Sequence, residues 1–505
     1  MTAIIPCTSE YDDYLRDESR LIGSAEAIVF PTSEQEVIEA VKYAREHNMS
    51  ITTQGARTGI VAGAVPNGGL VINLSRMKSI CGIHLDEKTG EGSIVVQPGT
   101  LLAEVRDVAA KQNLFFPPDP TETSASIGGM VASNASGALT FHYGPTRNWV
   151  ESLRIVLADG DTISLLRGEC IARGRSFSIT TTSGRVISGD LPDYTQPDVK
   201  SAAGYYVSDD MDLIDLMIGM EGTLGIITEI WLKLIPAPRA INALTVFLPS
   251  EEAALKSVRI LRGESVDNFD PISFKPVGIE YFNSDALNLL RRMKGENSAF
   301  EKIPALKPGF HTAVYAEFHG SSDEELEEAV MAAMEPLAEL GASDEDAWFA
   351  TTLRELEPIK AFRHAVPEAV NLLIDKRKHR CPDITKLGTD MSVPDEYLED
   401  VIAMYNHDLK KSGLESVIFG HIGNNHVHVN ILPRDMDDYS CGKSLYMDWA
   451  KRVVELGGSV SAEHGIGKIK APFLRMMYGD EGISQMRSLR SLFDPELMLN
   501  RGNLF

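Results

Sequence analysis

Cysteine is scarce in this chain: five in 505 residues, at Cys7, Cys81, Cys170, Cys381 and Cys441. No two stand in a Cys-x-x-Cys arrangement, and the number is odd. A disulfide framework and an iron–sulfur cluster are both disfavoured. Long apolar runs are also missing. Nowhere do the roughly 20 consecutive apolar residues of a membrane span occur. The start, Met-Thr-Ala-Ile-Ile-Pro, has neither the basic nor the long apolar region of a secretory signal. Positive charge is short: 48 Lys and Arg stand against 72 Asp and Glu, for a net charge of −24. That imbalance argues against nucleic acid or an anionic membrane as the main partner. No internal repeat or low-complexity tract is visible. What remains is a reduced cytoplasmic protein of ordinary composition, 43% hydrophobic and 24% charged, long enough for about three domains.

Against that background the 12 histidines are unevenly placed, with three inside His421-Ile422-Gly423-Asn424-Asn425-His426-Val427-His428-Val429-Asn430. In a strand, side chains alternate faces. His426, His428 and Asn430 would then share one face, and Val427, Val429 and Ile431 the other. Buried imidazoles need partners. Downstream, Glu463-His464 precede Gly465-Ile466-Gly467. Two imidazoles and one carboxylate are a common set for a divalent ion with an open position. Any one of these histidines alone fits a satisfied histidine in a polar strand; the cluster points to a site.

The N-terminal part alternates strands and helices. Residues 26–30 read as a strand. Ser33 reads as a helix N-cap, with Glu36 at the capping-box position and Val37, Ile38, Val41 and Ala44 as the apolar stripe. Residues 50–53 and 70–74 read as further strands, 93–98 as a strand and 100–112 as a helix. The 117–144 stretch is rich in Pro, Gly, Ser and Asn, and its interleaved apolar residues suggest backbone shaped to a ligand. Strand 153–158 follows. The polar 161–200 stretch, with strand-like pieces at 163–166 and 185–187, reads as an excursion. Residues 221–230 read as a glycine turn entering a strand, and 236–238 as a domain boundary. Beyond it, 244–248, 313–318 and 417–432 read as strands. Helices are expected at 250–262, 285–294, 322–340, 395–412, 440–456 and 481–492. This order suggests a separate sheet with helices on one face.

Gly55, Gly59 and Gly63 recur every four residues after a strand. Small residues there let backbone N–H groups approach an anion. The segment does not open a helix as a Rossmann fingerprint does, and no Gly-Lys-Ser/Thr follows. It is a phosphate cradle of another kind or a mobile turn.

Taken in order, these segments resemble the vanillyl-alcohol-oxidase-type flavoproteins. Within them they resemble the FAD-dependent 2-hydroxyacid dehydrogenases acting on D-lactate, glycolate or D-2-hydroxyglutarate. The matching pieces are the 31–37 segment, Gly55 to Pro66, Gly128-Gly129 with Asn134 and Gly137, Gly219 to Thr228, the histidine window, and Glu463 to Gly467. They span roughly residues 25 to 505. The resemblance implies an α+β protein: a two-subdomain PCMH-type FAD-binding domain over 1–238 and an α+β substrate cap with an antiparallel sheet over 239–460. A C-terminal segment, 461–505, returns to the first domain. FAD is expected on Gly55, Ala56, Arg57, Thr58 and Gly59, on Pro117, Ser126, Gly128, Gly129, Asn134, Gly137 and Tyr143, and on Glu221, Gly225, Ile227 and Asn500. The first loop has no His or Cys, so the flavin is expected to be non-covalent.

The resemblance also implies roles. Oxidising a 2-hydroxy acid needs a base for the hydroxyl proton, a cation for the carboxylate and a hydride acceptor. His464 matches the base. His421, His428 and Glu463 match the ligands of metal-dependent members, for zinc, manganese or iron. Asn430 matches a substrate or flavin contact. Arg363 is the choice for the carboxylate clamp, with Lys386 second. The relatives' Asp-Gly-Asn is Asn424-Asn425-His426 here, so His426 is an added ligand or a substrate contact. The expected substrate is a small D-2-hydroxy acid. Electrons would leave to an electron-transferring flavoprotein, a quinone, a cytochrome or an iron–sulfur subunit. A homodimer is expected from the group, and any membrane attachment is expected to be peripheral. Two other readings share the fold: a non-redox FAD enzyme of the alkylglycerone phosphate synthase type, and a subunit of a larger oxidase complex.

Overall fold

Ser33 starts the first long helix, Glu34–Glu46, by accepting the Glu36 N–H on its hydroxyl at 3.4 Å. Such a cap contributes about 1 kcal/mol. Glu36 reaches back one residue further than a capping box requires, accepting from the N–H and hydroxyl of Thr32 at 2.7 and 2.8 Å. The computed structural model describes residues 3–266, 269 and 271–505. The helix packs Val37, Ala40, Val41 and Ala44 against a small sheet ordered Ile5–Pro6, Ala27–Val29, Leu70–Asn73, Ile51–Gln54. The last three strands run parallel, and the central stretches Ala27–Val29 and 70–72 are apolar along both faces, as parallel strands covered on both sides are. The chain's end returns here: Ile51 and Asn500 exchange backbone bonds with this edge, Ile51 N–H to Met498 O and Asn500 N–H to Ile51 O, both 2.7 Å.

A second, antiparallel sheet carries Ile80–Leu85, Gly92–Val96, Ile226–Pro236, Val150–Val156 and Thr162–Leu166 in that order, with Leu114–Phe115 joined to the long central strand. Helices Leu102–Ala110 and Ile127–Ser133 bury their apolar faces in the same core. The second of these lies inside the Pro- and Gly-rich 117–144 stretch. Its N-cap is Ser126, and Asn134 ends it in the left-handed region at φ 49°, a conformation Asn tolerates. Within the excursion, Ser176–Thr180 pairs with Val186–Asp190 as a hairpin.

The third sheet has eight strands. Its path is Trp348–Ala350, Ala240–Leu248, Thr312–Gly320, Gly278–Phe282, Ser416–Gly420, His426–Ile431, Leu387–Gly388, with Met391–Ser392 also paired to His426–Ile431. Among the described residues its pairings are all antiparallel, and the molecule is the α+β protein that its sequence implies. Val427, Val429 and Ile431 belong to one core, against helices such as Leu398–Ser412. Tyr315, Phe282 and Phe419 belong to the other, against Ser284–Glu296 and Leu353–Lys378. Helices thus cover both faces of this sheet, not the one face that the order of elements suggests, because its strands carry apolar residues on both sides.

Two differences from the sequence reading concern the site. The 417–432 strand is a hairpin: Gly420 at φ 133° and Asn425 at φ 52° turn the chain between its arms. The 26-residue helix Leu353–Lys378 stands where the sequence predicts none, because Pro358 and Pro367 lie inside it and proline removes a helical hydrogen bond. Capping by Thr352 and Glu355 and burial of Phe362, Val366 and Val370 offset that cost. The helix read at 481–492 belongs to Ala471–Phe493, broken at Gly479.

Candidate active site

The sheet brings Glu280 and the hairpin together. Tyr281 pairs with Gly420, which sets Glu280 beside His421, and Glu280 Oε1 lies 2.7 Å from His421 Nδ1. On the other arm, His428 Nδ1 lies 3.0 Å from the Thr389 carbonyl. Both rings thus have one nitrogen engaged and turn Nε2 toward Glu463. His421 Nε2 is 3.4 Å from Glu463 Oε2, and His428 Nε2 is 3.5 Å from Glu463 Oε1. Ligands about 2.1 Å from a tetrahedral ion stand about 3.4 Å apart. Both His–Glu463 separations are near that value, and donor atoms of His421, His428 and Glu463 all lie within 4.8 Å of one another, so these residues could hold a divalent ion. The bonds from Glu280 and Thr389 are the kind of support that orients metal-ligating histidines. Burial pulls the His421 imidazole down, but Glu280 and Glu463 outweigh it and raise it to about 9. Burial pushes Glu463 up, yet Lys200, His421 and His426 hold it well below the usual carboxylate range.

Asp390 is the second centre, and sequence reasoning does not single it out. It is 1% exposed. Its Oδ2 lies 3.1 Å from His464 Nδ1 and 2.5 Å from Lys470 Nζ, and accepts the Ser461 hydroxyl at 2.8 Å. Its Oδ1 faces His426 Nε2 at 3.0 Å, off the line of an ideal hydrogen bond. Burial alone would raise Asp390, but His464 and Lys470 hold it well below its ordinary value. With Nδ1 turned to Asp390, His464 presents Nε2 beside Glu463 Oε1 at 3.5 Å. Its side chain is 29% exposed, against 13% for His421 and His428 and none for His426. His464 is therefore the imidazole that an incoming molecule meets.

Glu463 and His464 line the same cleft as the glycine loops. Gly55, Ala56, Arg57, Thr58, Gly59, Ser126, Gly128, Gly129, Glu221, Gly225, Ile227 and Asn500 all line it. Ser126 holds two loops together, its hydroxyl accepting from Ala56 N–H at 3.2 Å. A Cβ at Gly55 would strike that hydroxyl at 2.1 Å, so the close approach needs glycine. Glu221 ties in the C-terminal segment, accepting the N–H groups of Ile466 and Gly467, both at 2.6 Å. Glycine backbone and a mostly apolar wall suit a flavin with its pyrophosphate. Pro117, Asn134, Gly137 and Tyr143 stand outside this lining. Asn134 accepts from Arg147 N–H at 3.0 Å; Gly137 packs where a Cβ would meet the Asp119 carbonyl; Tyr143 meets His319 Nδ1 of the third sheet at 2.8 Å.

Arg363 projects from the proline-bearing helix to Asp119 Oδ2 at 3.1 Å, with Glu317 at 3.9 Å. Burial lowers its guanidinium, but Asp119, Glu280 and Glu317 more than restore it. Lys386 is placed beside the edge strand Leu387–Gly388, and burial lowers it. Asn430 is buried two residues past His428. Lys200, Glu280 and Asp390 have no sequence signal: each is a single charged residue in an unremarkable context, brought in by long-range packing.

Comparison with known proteins matches residues 237–504 to the C-terminal domain of FAD-linked oxidases and residues 25–166 to an FAD-binding domain. A D-lactate dehydrogenase of Anaerostipes hadrus is 30% identical, covering 98% of this chain and 92% of that protein. Glycolate oxidase subunit GlcD of Bacillus subtilis is 28% identical, over 95% and 89%. A D-2-hydroxyglutarate dehydrogenase of Xanthomonas citri is 30% identical, over 95% and 89%. Among solved structures, an alkyldihydroxyacetonephosphate synthase aligns with a TM-score of 0.61 at 18% identity, covering 95% of this chain and 76% of that one. That likeness concerns the fold alone. No helix among the described residues is long and apolar enough to cross a membrane.

Proposed function

The chain belongs to the FAD-linked oxidases, in the branch of the FAD-dependent hydroxy-acid dehydrogenases, and on that premise we propose that it oxidises a small D-2-hydroxy acid, such as D-lactate, to the 2-oxo acid. One observation carries the reading. His464, oriented by Asp390, and Glu463, flanked by His421 and His428, stand in the wall of the cleft formed by the glycine loops.

In this reading the loops at 55–59, 126–129 and 221–227 would hold FAD non-covalently, which would supply the hydride acceptor that oxidation at the α-carbon needs. His421, His428 and Glu463 would hold a divalent ion, zinc, manganese or iron, which would supply Lewis-acid chemistry at the substrate hydroxyl. His464 takes the hydroxyl proton on Nε2. Asp390 keeps the other ring proton on Nδ1 and stabilises the imidazolium that forms, as the carboxylate of a His–Asp pair does. Arg363 binds the substrate carboxylate, and Asn430 contacts the bound acid or the flavin ring. The electrons then pass to an external acceptor.

The test is anaerobic flavin reduction. D-lactate, L-lactate, glycolate and D-2-hydroxyglutarate are added separately to the yellow protein, with and without prior chelation. One D-acid should bleach the flavin, and chelation should abolish the bleaching until one metal restores it. Bleaching indifferent to chelator would keep the dehydrogenase and remove the metal. No bleaching by any acid would remove the dehydrogenase.

A further inference from the structure

Lys200 lies on the loop at 191–210, and its ammonium stands 2.7 Å from Glu463 Oε2. The same carboxylate is the one a metal at His421 and His428 would need. Lysine and carboxylate are both nearly closed from water, at 4% and 10% side-chain exposure. Lys200 Nζ also lies 3.2 Å from His426 Nδ1. An ammonium has three donors and no acceptor, so His426 Nδ1 carries a lone pair and its ring proton is on Nε2, facing Asp390. His426 is therefore a neutral acceptor aimed at Lys200.

Resting on the metal reading above, we propose that Lys200 is the resident counter-cation of the metal site. It holds Glu463 when no ion is bound, competes with a divalent ion for that carboxylate, and so sets how tightly the enzyme keeps its metal. Glu463 uses its two oxygens differently. Oε1 faces His428 and His464, both at 3.5 Å, while Oε2 is shared between His421 at 3.4 Å and Lys200 at 2.7 Å. An ion bound by His421 and Glu463 meets an ammonium already on the same oxygen, and like charges repel strongly where water is excluded.

The arrangement is built into the fold. The Ser392 hydroxyl donates to the Lys200 carbonyl at 2.6 Å, Ser201 and Ser459 share a hydroxyl contact at 2.9 Å, and Ala202 N–H donates to Ser461 O at 2.8 Å. The backbone is fastened at Lys200 and at the two residues after it, so the adjustment falls to the flexible four-carbon stem. When the stem swings away, His426 Nδ1 is released 3.8 Å from Glu463 Oε2. Donor atoms of His421, His426, His428 and Glu463 all lie within 4.8 Å of one another. The imidazole at 426 is thus an acceptor for Lys200 in one state and a further nitrogen ligand in the other.

The experiment uses the FAD-loaded protein after chelation and measures Zn2+ and Mn2+ affinity by competition with a chromophoric chelator, not by turnover. Lys200→Met should bind at least about tenfold more tightly than the unmodified protein. Lys200→Arg, which keeps the charge, should bind like the unmodified protein. Adding His421→Ala to Lys200→Met should abolish binding, placing the ion at this site. If Lys200→Met does not fold, Lys200→Gln carries the same expectation. Equal or weaker binding by the neutral variants, with flavin content intact, would overturn the role of Lys200 and leave the metal reading standing. Stoichiometric binding by neither protein would overturn both.

Discussion

Asp390 Oδ2 stands 3.1 Å from Nδ1 of His464, although 74 residues separate them in sequence. The same oxygen accepts the His464 backbone N–H at 3.1 Å, so ring and backbone are held by one carboxylate. Asp390→Asn keeps the shape, removes the charge and offers an N–H where an acceptor is needed. Flavin reduction by the substrate should slow by about 10²- to 10⁴-fold, the usual worth of a positioned acid–base group, with FAD still bound. Stopped-flow reduction checks this, and an unchanged rate would detach Asp390 from the base.

Arg363 binds Asp119 across the junction between the 117–126 loop and the long helix Leu353–Lys378. Losing charge-assisted hydrogen bonds to a substrate carboxylate costs roughly 1.5–3 kcal/mol. Arg363→Lys keeps the charge without the two-point fork. Its KM should rise roughly ten- to hundredfold, with the FAD spectrum unchanged. A steady-state KM equal to that of the unmodified enzyme would remove Arg363 from the substrate site.

The loop from Gly55 to Gly63 has Arg57 and Thr58 at its centre and contains no His or Cys. Acid or heat denaturation followed by filtration should release all the flavin. Yellow protein in the precipitate would contradict non-covalent binding.

Glu221 predicts a pH dependence of stability. Burial pushes its carboxyl up, and the Ile466 and Gly467 N–H groups pull only part of it back, leaving it at about 7 against an ordinary 4.5. The folded state therefore favours the protonated form. This stabilisation is complete below about pH 4.5 and is lost as the pH rises through about 7, up to about 3 kcal/mol. Between pH 5 and 8 the FAD-free protein should lose urea stability relative to Glu221→Gln. Parallel pH profiles for the two proteins would refute the assignment.

Local patterns carry much of the site. Ser33 as a cap, the alternation of His426, Val427, His428 and Val429, and the glycines at 55, 59 and 63 depend on near neighbours and are legible in the sequence. So is the family resemblance, which is a series of such local patterns in order. The hairpin inside 417–432 is hidden because alternation looks alike on both arms. The helix Leu353–Lys378 is hidden because Pro358 and Pro367 argue against it locally, while burial of Phe362 and Val366 argues for it only once the sheet is present.

By itself the sequence determined many of the strands and helices and the residue types available for a flavin and an ion, because backbone conformation and side-chain periodicity are short-range properties. The class of protein and its α+β architecture came through the family resemblance that those local patterns carry in order. Only the tertiary structure decided which charges meet. Lys200 reaches Glu463, Glu280 reaches His421, and Asp390 gathers His426, His464 and Lys470. These partners come from separate strands and loops, and no spacing along the chain encodes their contacts. Electrostatic energies depend on distance and on exclusion of water, and both are set by how the sheets close over the cleft.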